Sequence, residues 1–411
     1  MRVLISGAGI AGPTLAYWLA QYGFEPTLLE SAPALRTGGY VIDFWGAGFD
    51  VADRMGLLPE IRRKGYMVRE VVAVNERGKR VSGFSVEVFS RITGGRYTSL
   101  PRGDLAAAIF ASIDGRVETI FGDSVRAIAQ TEKAVRVSFQ SGTARDFDLV
   151  VGADGLHSRV RELVFGPESQ FEKYLGYKVA AFEVPGYRPR DELVYVMYTE
   201  VGGQVSRFTM RGDRTMFLFI FADEDRAVPA DVQAQKARLR DRFGKSGWEC
   251  PQILDALDSA GDLYFDRVSQ IRMDRPGRID RTDRIDPRQG PWTRGRVTLA
   301  GDAAFCVSLL AGQGSALAMV AAYILAGELH RANGDYPKAF ARYQDAMGPF
   351  VLAKQEAALG FAGAFAPKSK AGLFLRDQVF KLLAFDWVAN IVAKRGLLDN
   401  IALPDYGKPS Q

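Results

Sequence analysis

The chain has 411 residues, 47% hydrophobic and 25% charged, a globular balance with length enough for one large or two modest domains. Its net charge of +5 comes from interleaved acids and bases with no basic stripe, which argues against a nucleic-acid partner and for a positive cleft holding an anionic cofactor. Two cysteines (Cys250, Cys306) and two histidines (His157, His330) make neither a disulfide framework nor a zinc cluster, so a reducing, cytoplasmic setting without bound metal is expected.

Neither histidine lies near a G-x-S-x-G nucleophile elbow, so reactive chemistry is expected to belong to a cofactor. Met1 leads directly into a predicted strand, with no signal-peptide pattern. Residues 2–6, RVLIS, form that strand. Gly7-Ala8-Gly9-Ile10-Ala11-Gly12 follows at once, and then an apolar stripe of Leu15, Trp18, Leu19 and Tyr22 at helical spacing. Pro13 suits a helix first turn, where a missing N–H costs nothing. A second strand, residues 26–29, ends at Glu30, 21 residues after Gly9. In this context Gly7 allows a tight turn, Gly9 lets the backbone approach a pyrophosphate, and Gly12 permits close helix–strand packing. Glu30 can take a ribose hydroxyl pair. The motif predicts an ADP cradle and leaves NAD and FAD open. No second G-x-G-x-x-G occurs, so a second dinucleotide would dock transiently.

Residues 148–161, DLVVGADGLHSRVR, read as an apolar strand ending in Gly152-Ala153-Asp154-Gly155, with Ser158 and Arg161 in a new helical turn. Asp154 would face the crevice at the strand ends, where ligands sit in such sheets; an ordinary Asp-Gly turn is the plainer reading. Residues 207–222, RFTMRGDRTMFLFIFA, predict a hairpin turning at Gly212-Asp213, with Phe217, Phe219 and Phe221 alternating toward core or pocket. Residues 274–291 repeat Arg-Ile-Asp, contain almost no core-forming residue and read as an exposed insertion.

Residues 296–300 predict a strand that delivers Gly301 and Asp302 to the same crevice. The uncharged run 303–327 is long enough to span a membrane, but Gly312-Gln313-Gly314 in its middle suits a loop better. No membrane span is expected. The glycines would instead open a helix over 315–329, whose N-terminal amides and dipole could hold an electron-rich group. The tail, 351–411, shows apolar helical faces at Leu375, Val379, Leu382 and Leu383, then Trp387, Val388, Ile391 and Val392.

The glycine motif with Glu30, the Asp-Gly segment 148–161 and the Gly-Asp segment 301–314 stand in the order and spacing of the single-component FAD-dependent aromatic hydroxylases, the p-hydroxybenzoate hydroxylase family. The chain looks closest to the branch holding tetracycline-inactivating and polyketide-tailoring monooxygenases. The resemblance implies an α/β fold: a Rossmann-like FAD-binding domain, a mixed or antiparallel-sheet substrate domain and a C-terminal helix. The FAD domain would comprise 1–72, 98–165 and 292–350. The substrate domain would take 73–97 and 166–285, and the C-terminal helical segment 351–411. Arg102 matches the arginine set against the flavin ribityl chain, and Arg36 with Gly38-Gly39 the segment after the ribose-binding acid. Asp154 resembles the residue serving both FAD and nicotinamide contacts, and Asp302 the acid at the ribityl and pyrophosphate region. FAD would contact Gly7, Gly9, Ala11, Gly12, Glu30, Arg36, Arg102, Asp154, Asp302, Gly312 and Gly314.

By this resemblance NAD(P)H docks transiently and O2 adds to give a flavin hydroperoxide. Its outer oxygen then passes to an aromatic or polycyclic small molecule. No catalytic acid or base is named; Arg102 and the amides near Gly312–Gly314 are electrostatic candidates. One face of 174–183 with Arg207, Met210 and Phe219 would line the substrate pocket. The chain departs from the family at Ser31, where arginine is frequent, and at Val307-Ser308-Leu309-Leu310, where prolines usually lie beneath the flavin. The alternatives are a same-fold flavin reductase and an FAD-binding protein without oxygenase activity. Monomer and homodimer both fit.

Overall fold

The computed structural model describes residues 1–36, 38–273, 289–383 and 401–407. Five parallel strands form the heart of the first sheet, in the order Val297–Leu299, Leu149–Gly152, Arg2–Ser6, Glu25–Glu30 and Glu118–Phe121. Val3, Leu4, Ile5, Leu149, Val150 and Val151 are all fully buried, because a parallel sheet covered on both faces needs continuous apolar strands. The register pairs Ser6 with both Gly152 and Leu29, and Gly152 with Leu299. Four strands therefore finish level, and their carboxyl ends make one crevice.

Helix Ala11–Gln21 packs against helix Gly314–Arg331 through an edge-to-face contact of Trp18 with Tyr323, 4.9 Å between centroids. The second half of the uncharged run is thus a buried helix: Ala316 through Leu329 are all buried within it. Its first charged residue, Glu328, accepts hydrogen bonds from Tyr406 Oη at 2.8 Å and Arg331 at 2.9 Å. The same terminal segment brings the Pro404 carbonyl to Tyr323 Oη (2.7 Å) and Arg54 (2.8 Å). Among the described residues no helix is long and apolar enough to cross a membrane, and no group of three or more His, Cys, Asp or Glu could hold a metal ion.

The second sheet has seven strands, in the order Leu263–Ile271, Glu172–Pro185, Arg214–Ala222, Gly203–Met210, Val194–Glu200, Glu70–Val74 and Arg80–Ser85. All neighbours are antiparallel except Val194–Glu200 with Glu70–Val74. The predicted hairpin is present, with Met210 opposite Arg214 at its end. On the outer face Phe182, Phe217, Phe219 and Phe221 pack against helices Val232–Phe243 and Cys250–Ala256, with Phe219 and Phe243 5.2 Å apart. The inner face presents Phe208, Met216, Leu218 and Ile220, which pack with residues outside this sheet. A two-stranded ribbon, Val41–Trp45 with Tyr97–Pro101, lies against this inner face through Val41, Tyr97, Phe208 and Met216.

Two expected boundaries shift. Glu70–Val74 already pairs in the second sheet, so the chain crosses before residue 70 rather than after 72. Gln289–Gly290 pairs with Thr293–Arg294 at the edge of the first sheet, so the insertion read over 274–291 does not include its last residues; 274–288 lie outside the described residues. The tail forms a 30-residue helix, Tyr336–Phe365, and a second, Lys370–Leu383. The second docks on the Arg80–Ser85 edge, where Phe380 meets Phe84 at 5.4 Å, while Leu375, Val379 and Leu382 stay exposed. Trp387, Val388, Ile391 and Val392 lie outside the described residues.

Candidate active site

The three motifs meet at the crevice, and glycine is what lets them meet. A β-carbon at Gly7, where φ is +108°, would stand 2.5 Å from the Ala153 carbonyl oxygen and 2.7 Å from Asp154 Cα. At Gly12 it would stand 1.9 Å from the Gly7 oxygen. Ala11, buried at the start of its helix, faces Gly301 from the third motif, where a β-carbon would come to 3.1 Å. Chain connections close by only when backbone meets backbone, and a side chain at any of these positions would force them apart.

Polar groups tie the same motifs together. Glu30 accepts the Ala8 amide hydrogen at 2.8 Å, and its other oxygen accepts from Ala32 N at 2.9 Å and Ser31 Oγ at 3.2 Å. Ser31 therefore braces Glu30 in this chain. Asp154 turns its carboxylate onto Ser158 Oγ and Val160 N (3.1 Å), ordering the start of helix Arg159–Phe165. Burial pushes its carboxyl above the usual range, and the Ser158 bond pulls the other way. Arg161 is fully buried and donates to the Ala303 carbonyl (3.0 Å), the Leu156 carbonyl (2.6 Å) and Glu168 (2.8 Å). It bolts the second motif to the third.

Arg102 begins helix Arg102–Ala111, with its amide bonded to the Tyr40 carbonyl at 3.0 Å. Its Nη2 would stand 3.6 Å from a β-carbon at Gly9. Asp302 Oδ1 would stand 3.8 Å from one at Gly314. Burial raises the Asp302 carboxyl, while the positive charge of Arg102 lowers it. Burial likewise pushes the Tyr40 phenol up to about 12 against the pull of Arg102. The Cys306 thiol rises well above its ordinary range through burial and the nearby Asp302 charge. Arg102, Asp302, Gly9 and Gly314 thus share one neighbourhood. Arg36 is exposed on the connecting loop.

Gly312 is left-handed (φ +65°), and a β-carbon there would meet Trp45 Cη2 at 3.7 Å. Two buried glutamines, which sequence reasoning missed, anchor the loop before it. Gln270 Nε2 donates to the Val307 carbonyl (3.1 Å) and the Gln355 carbonyl (2.7 Å). Gln355 Nε2 donates to the carbonyls of Ile271 (2.8 Å) and Cys306 (3.3 Å). The loop without prolines is held from outside.

The three pocket candidates on the second sheet separate. Strand alternation puts Arg207 and Phe219 on the outer face, Phe219 among the core phenylalanines and Arg207 ion-paired to Glu249 and Asp191. Met210 is on the inner face but buried in the cluster with Tyr66, Phe208 and Met216. Nearer the crevice stands Tyr264, whose ring lies 5.6 Å from Tyr40 and which feels the Arg102 charge, while Asp43 lies in the ribbon beside Tyr97 of the Met210 cluster. Asp43 Oδ1 accepts from Tyr97 Oη at 2.7 Å and Ser99 Oγ at 2.5 Å. Burial pushes its carboxyl up, and those two hydrogen bonds pull it down. A lone acid in the apolar run VIDFW was the one sequence signal for it.

The crevice suits FAD. Helices Ala11–Gln21 and Gly314–Arg331 both begin without a side-chain cap, leaving first-turn amides for an anionic or electron-rich group. Gly7, Gly9 and Gly12 keep side-chain bulk out of the loop that a pyrophosphate would approach. Arg102 adds a positive charge beside it.

A family model described as "FAD binding domain" matches residues 1–251. An uncharacterized protein of Mycobacterium tuberculosis is 40% identical over 359 residues, covering 86% of this chain and 91% of its own. A flavin-dependent monooxygenase from an unknown prokaryotic organism is 33% identical over 408 residues, covering 99% of both. The crystal structure of the tetracycline destructase Tet(55) superimposes with a TM-score of 0.80 at 30% identity, covering 98% of each chain. With three converging motifs, uncapped helix starts and these likenesses, the chain belongs to the FAD-binding flavin-dependent monooxygenases.

Proposed function

We propose that this enzyme uses NAD(P)H and O2 to hydroxylate an electron-rich aromatic or polycyclic small molecule lying between the crevice and the inner face of the second sheet. The observation that carries this reading is the aromatic wall there: Tyr40 against Tyr264, and Trp45 beside Gly312. A flat substrate stacks on such a wall with its plane fixed. The likeness to a tetracycline destructase supports a polycyclic substrate.

Bound FAD supplies the redox chemistry, with oxygen activation at its ring. In the proposal Gly7, Gly9, Ala11, Gly12 and Glu30 hold the adenosine and pyrophosphate end, and Asp154 and Asp302 close the crevice around the linking chain. Arg102 and the first-turn amide at Gly314 offset negative charge on the ring, while Gly312, whose own amide donates to the Leu309 carbonyl at 3.1 Å, keeps that approach free of a side chain. Arg36 contributes at the exposed rim, and the buried walls exclude water. Asp43, held by Tyr97 and Ser99, is a carboxyl available to accept a phenolic proton. The test is to supply the FAD-loaded enzyme with NAD(P)H, 18O2 and a panel of phenols and polycyclic aromatics. One 18O atom in the product is expected. NAD(P)H oxidation that yields hydrogen peroxide alone with every compound would overturn the reading.

A further inference from the structure

A groove of about 670 Å³ lies on the outer face of the second sheet, across the sheet from the motif crevice. Its size falls within the roughly 300–1,000 Å³ of small-molecule sites. Outward-facing valines of two neighbouring strands, among them Val72 and Val194, line it with Trp248 and Arg207. Arg207 is only 4% exposed and comes from the strand Gly203–Met210.

The polar inventory of that arginine is incomplete. Nε donates to Glu249 at 2.8 Å, and Nη2 donates to Asp191 at 2.6 Å and Glu249 at 3.2 Å. Nη1 is buried with no hydrogen-bond partner. A buried guanidinium nitrogen without an acceptor costs free energy on the order of 1–3 kcal/mol, so buried donors are nearly always satisfied. The guanidinium also lies 5.9 Å from the Trp248 ring centroid. Trp248 itself holds a positive φ of 59°, and its amide donates to the Glu76 carbonyl at 2.5 Å, fixing the ring-bearing loop to the groove's rim.

We propose that this groove is a second ligand site, for a flat, uncharged aromatic molecule carrying a carbonyl oxygen. The oxygen completes Arg207, the ring stacks on Trp248, and the valines take the apolar edge. Charge decides against an anion. The lining holds four carboxylates (Glu70, Glu76, Asp191, Glu249) and three guanidinium groups (Arg77, Arg80, Arg207), and Arg207 is already doubly ion-paired. An acceptor is wanted there, but not another negative charge. The inference stands apart from the proposed oxygenation, since the groove and the crevice occupy opposite faces of the sheet.

The test titrates 1-naphthamide into the FAD-loaded protein by calorimetry, with naphthalene and 1-naphthoate as comparisons. One saturable 1-naphthamide site is expected, with naphthalene at least tenfold weaker for want of the acceptor and 1-naphthoate no tighter than the amide. Val72→Trp, which fills the groove, and Trp248→Ala, which removes the ring, should each weaken binding about tenfold or more while FAD content stays at the wild-type level. Saturable binding untouched by both substitutions would place the ligand elsewhere and overturn the proposal. Absence of saturable binding, or equal binding of naphthalene and 1-naphthamide, would overturn it as well.

Discussion

The Glu30 carboxylate accepts the amide hydrogen of Ala8 across 2.8 Å, joining the end of the second strand to the middle of the glycine loop. The same side chain anchors Ala32 N at 2.9 Å. Removing it leaves two backbone amides without their charged acceptor and takes away the group proposed for the ribose hydroxyls. Glu30→Ala is expected to weaken FAD binding about 10- to 100-fold, in line with hydrogen bonds to charged groups of roughly 1.5–3 kcal/mol. Glu30→Gln, which keeps an acceptor oxygen, should lose less. Quenching of FAD fluorescence on titration with apoprotein measures both, and a wild-type dissociation constant for the alanine variant would contradict the assignment.

The crevice was legible because its determinants are local. Glycines at fixed offsets, strand ends and single acids such as Asp302 sit within a few residues of one another. Arg161 was visible only as a member of a helical turn, since its partner Ala303 lies 142 residues away. The bracing by Gln270 and Gln355 was hidden for the same reason: a glutamine in a strand or helix carries no mark of the carbonyl it will meet. Two of the three pocket candidates, Arg207 and Phe219, fell on the wrong phase of the strand, and Met210, though inward, is taken up by core packing. Arg207 and Phe208 are neighbours in sequence yet point to opposite faces, and only the register with Phe217 and Met216 tells which face is inner.

His157 donates to Asp266 at 3.3 Å and to Glu168 at 3.0 Å, and these two carboxylates raise its pKa from 6.5 to about 9. A raised folded-state value stabilises the fold fully below the unfolded pKa of 6.5, and the contribution is lost as pH rises through about 9. The side chain is 52% exposed, so solvent screens the pairing to about 1 kcal/mol. His157→Gln should therefore lower the urea midpoint at pH 6 and leave it near wild type at pH 10. Equal midpoint differences at both pH values would show that the histidine charge is not stabilising.

Asp43 carries the opposite sign from an ordinary paired carboxylate. Burial raises its pKa above 3.8, so its stabilising contribution is full below 3.8 and lost as pH rises through the elevated folded value. Asp43→Asn keeps the shape and an acceptor for Tyr97 and Ser99 but cannot ionise. It should resist urea better than wild type at pH 7, with the advantage gone at pH 3. Turnover should fall about 100-fold or more if this carboxyl accepts the substrate proton, that being the usual scale for a general base. A variant equally stable at both pH values would show that ionised Asp43 is not strained by burial. Undiminished turnover would remove it from the proposed chemistry.

The backbone of Ser308 explains why proline cannot stand at that position. Its φ is +103° and ψ 140°, a region that side-chain-bearing residues rarely enter and that costs on the order of 1–3 kcal/mol. Proline fixes φ near −65° and would force the loop open. Two features hold the serine there: its Oγ accepts the Leu310 amide at 3.2 Å, and the preceding Val307 carbonyl is held by Gln270. Ser308→Gly relieves the strain but loses the Oγ bond and adds chain entropy, so its stability should lie between wild type and about 1 kcal/mol above it. Ser308→Ala keeps the strain and loses the bond, costing about 1 kcal/mol, and Ser308→Pro should cost about 3 kcal/mol or more. Urea denaturation of the three variants gives the order Gly, then Ala, then Pro. Alanine matching glycine would mean that the loop relaxes out of the positive-φ conformation, and that the two glutamines do not hold it.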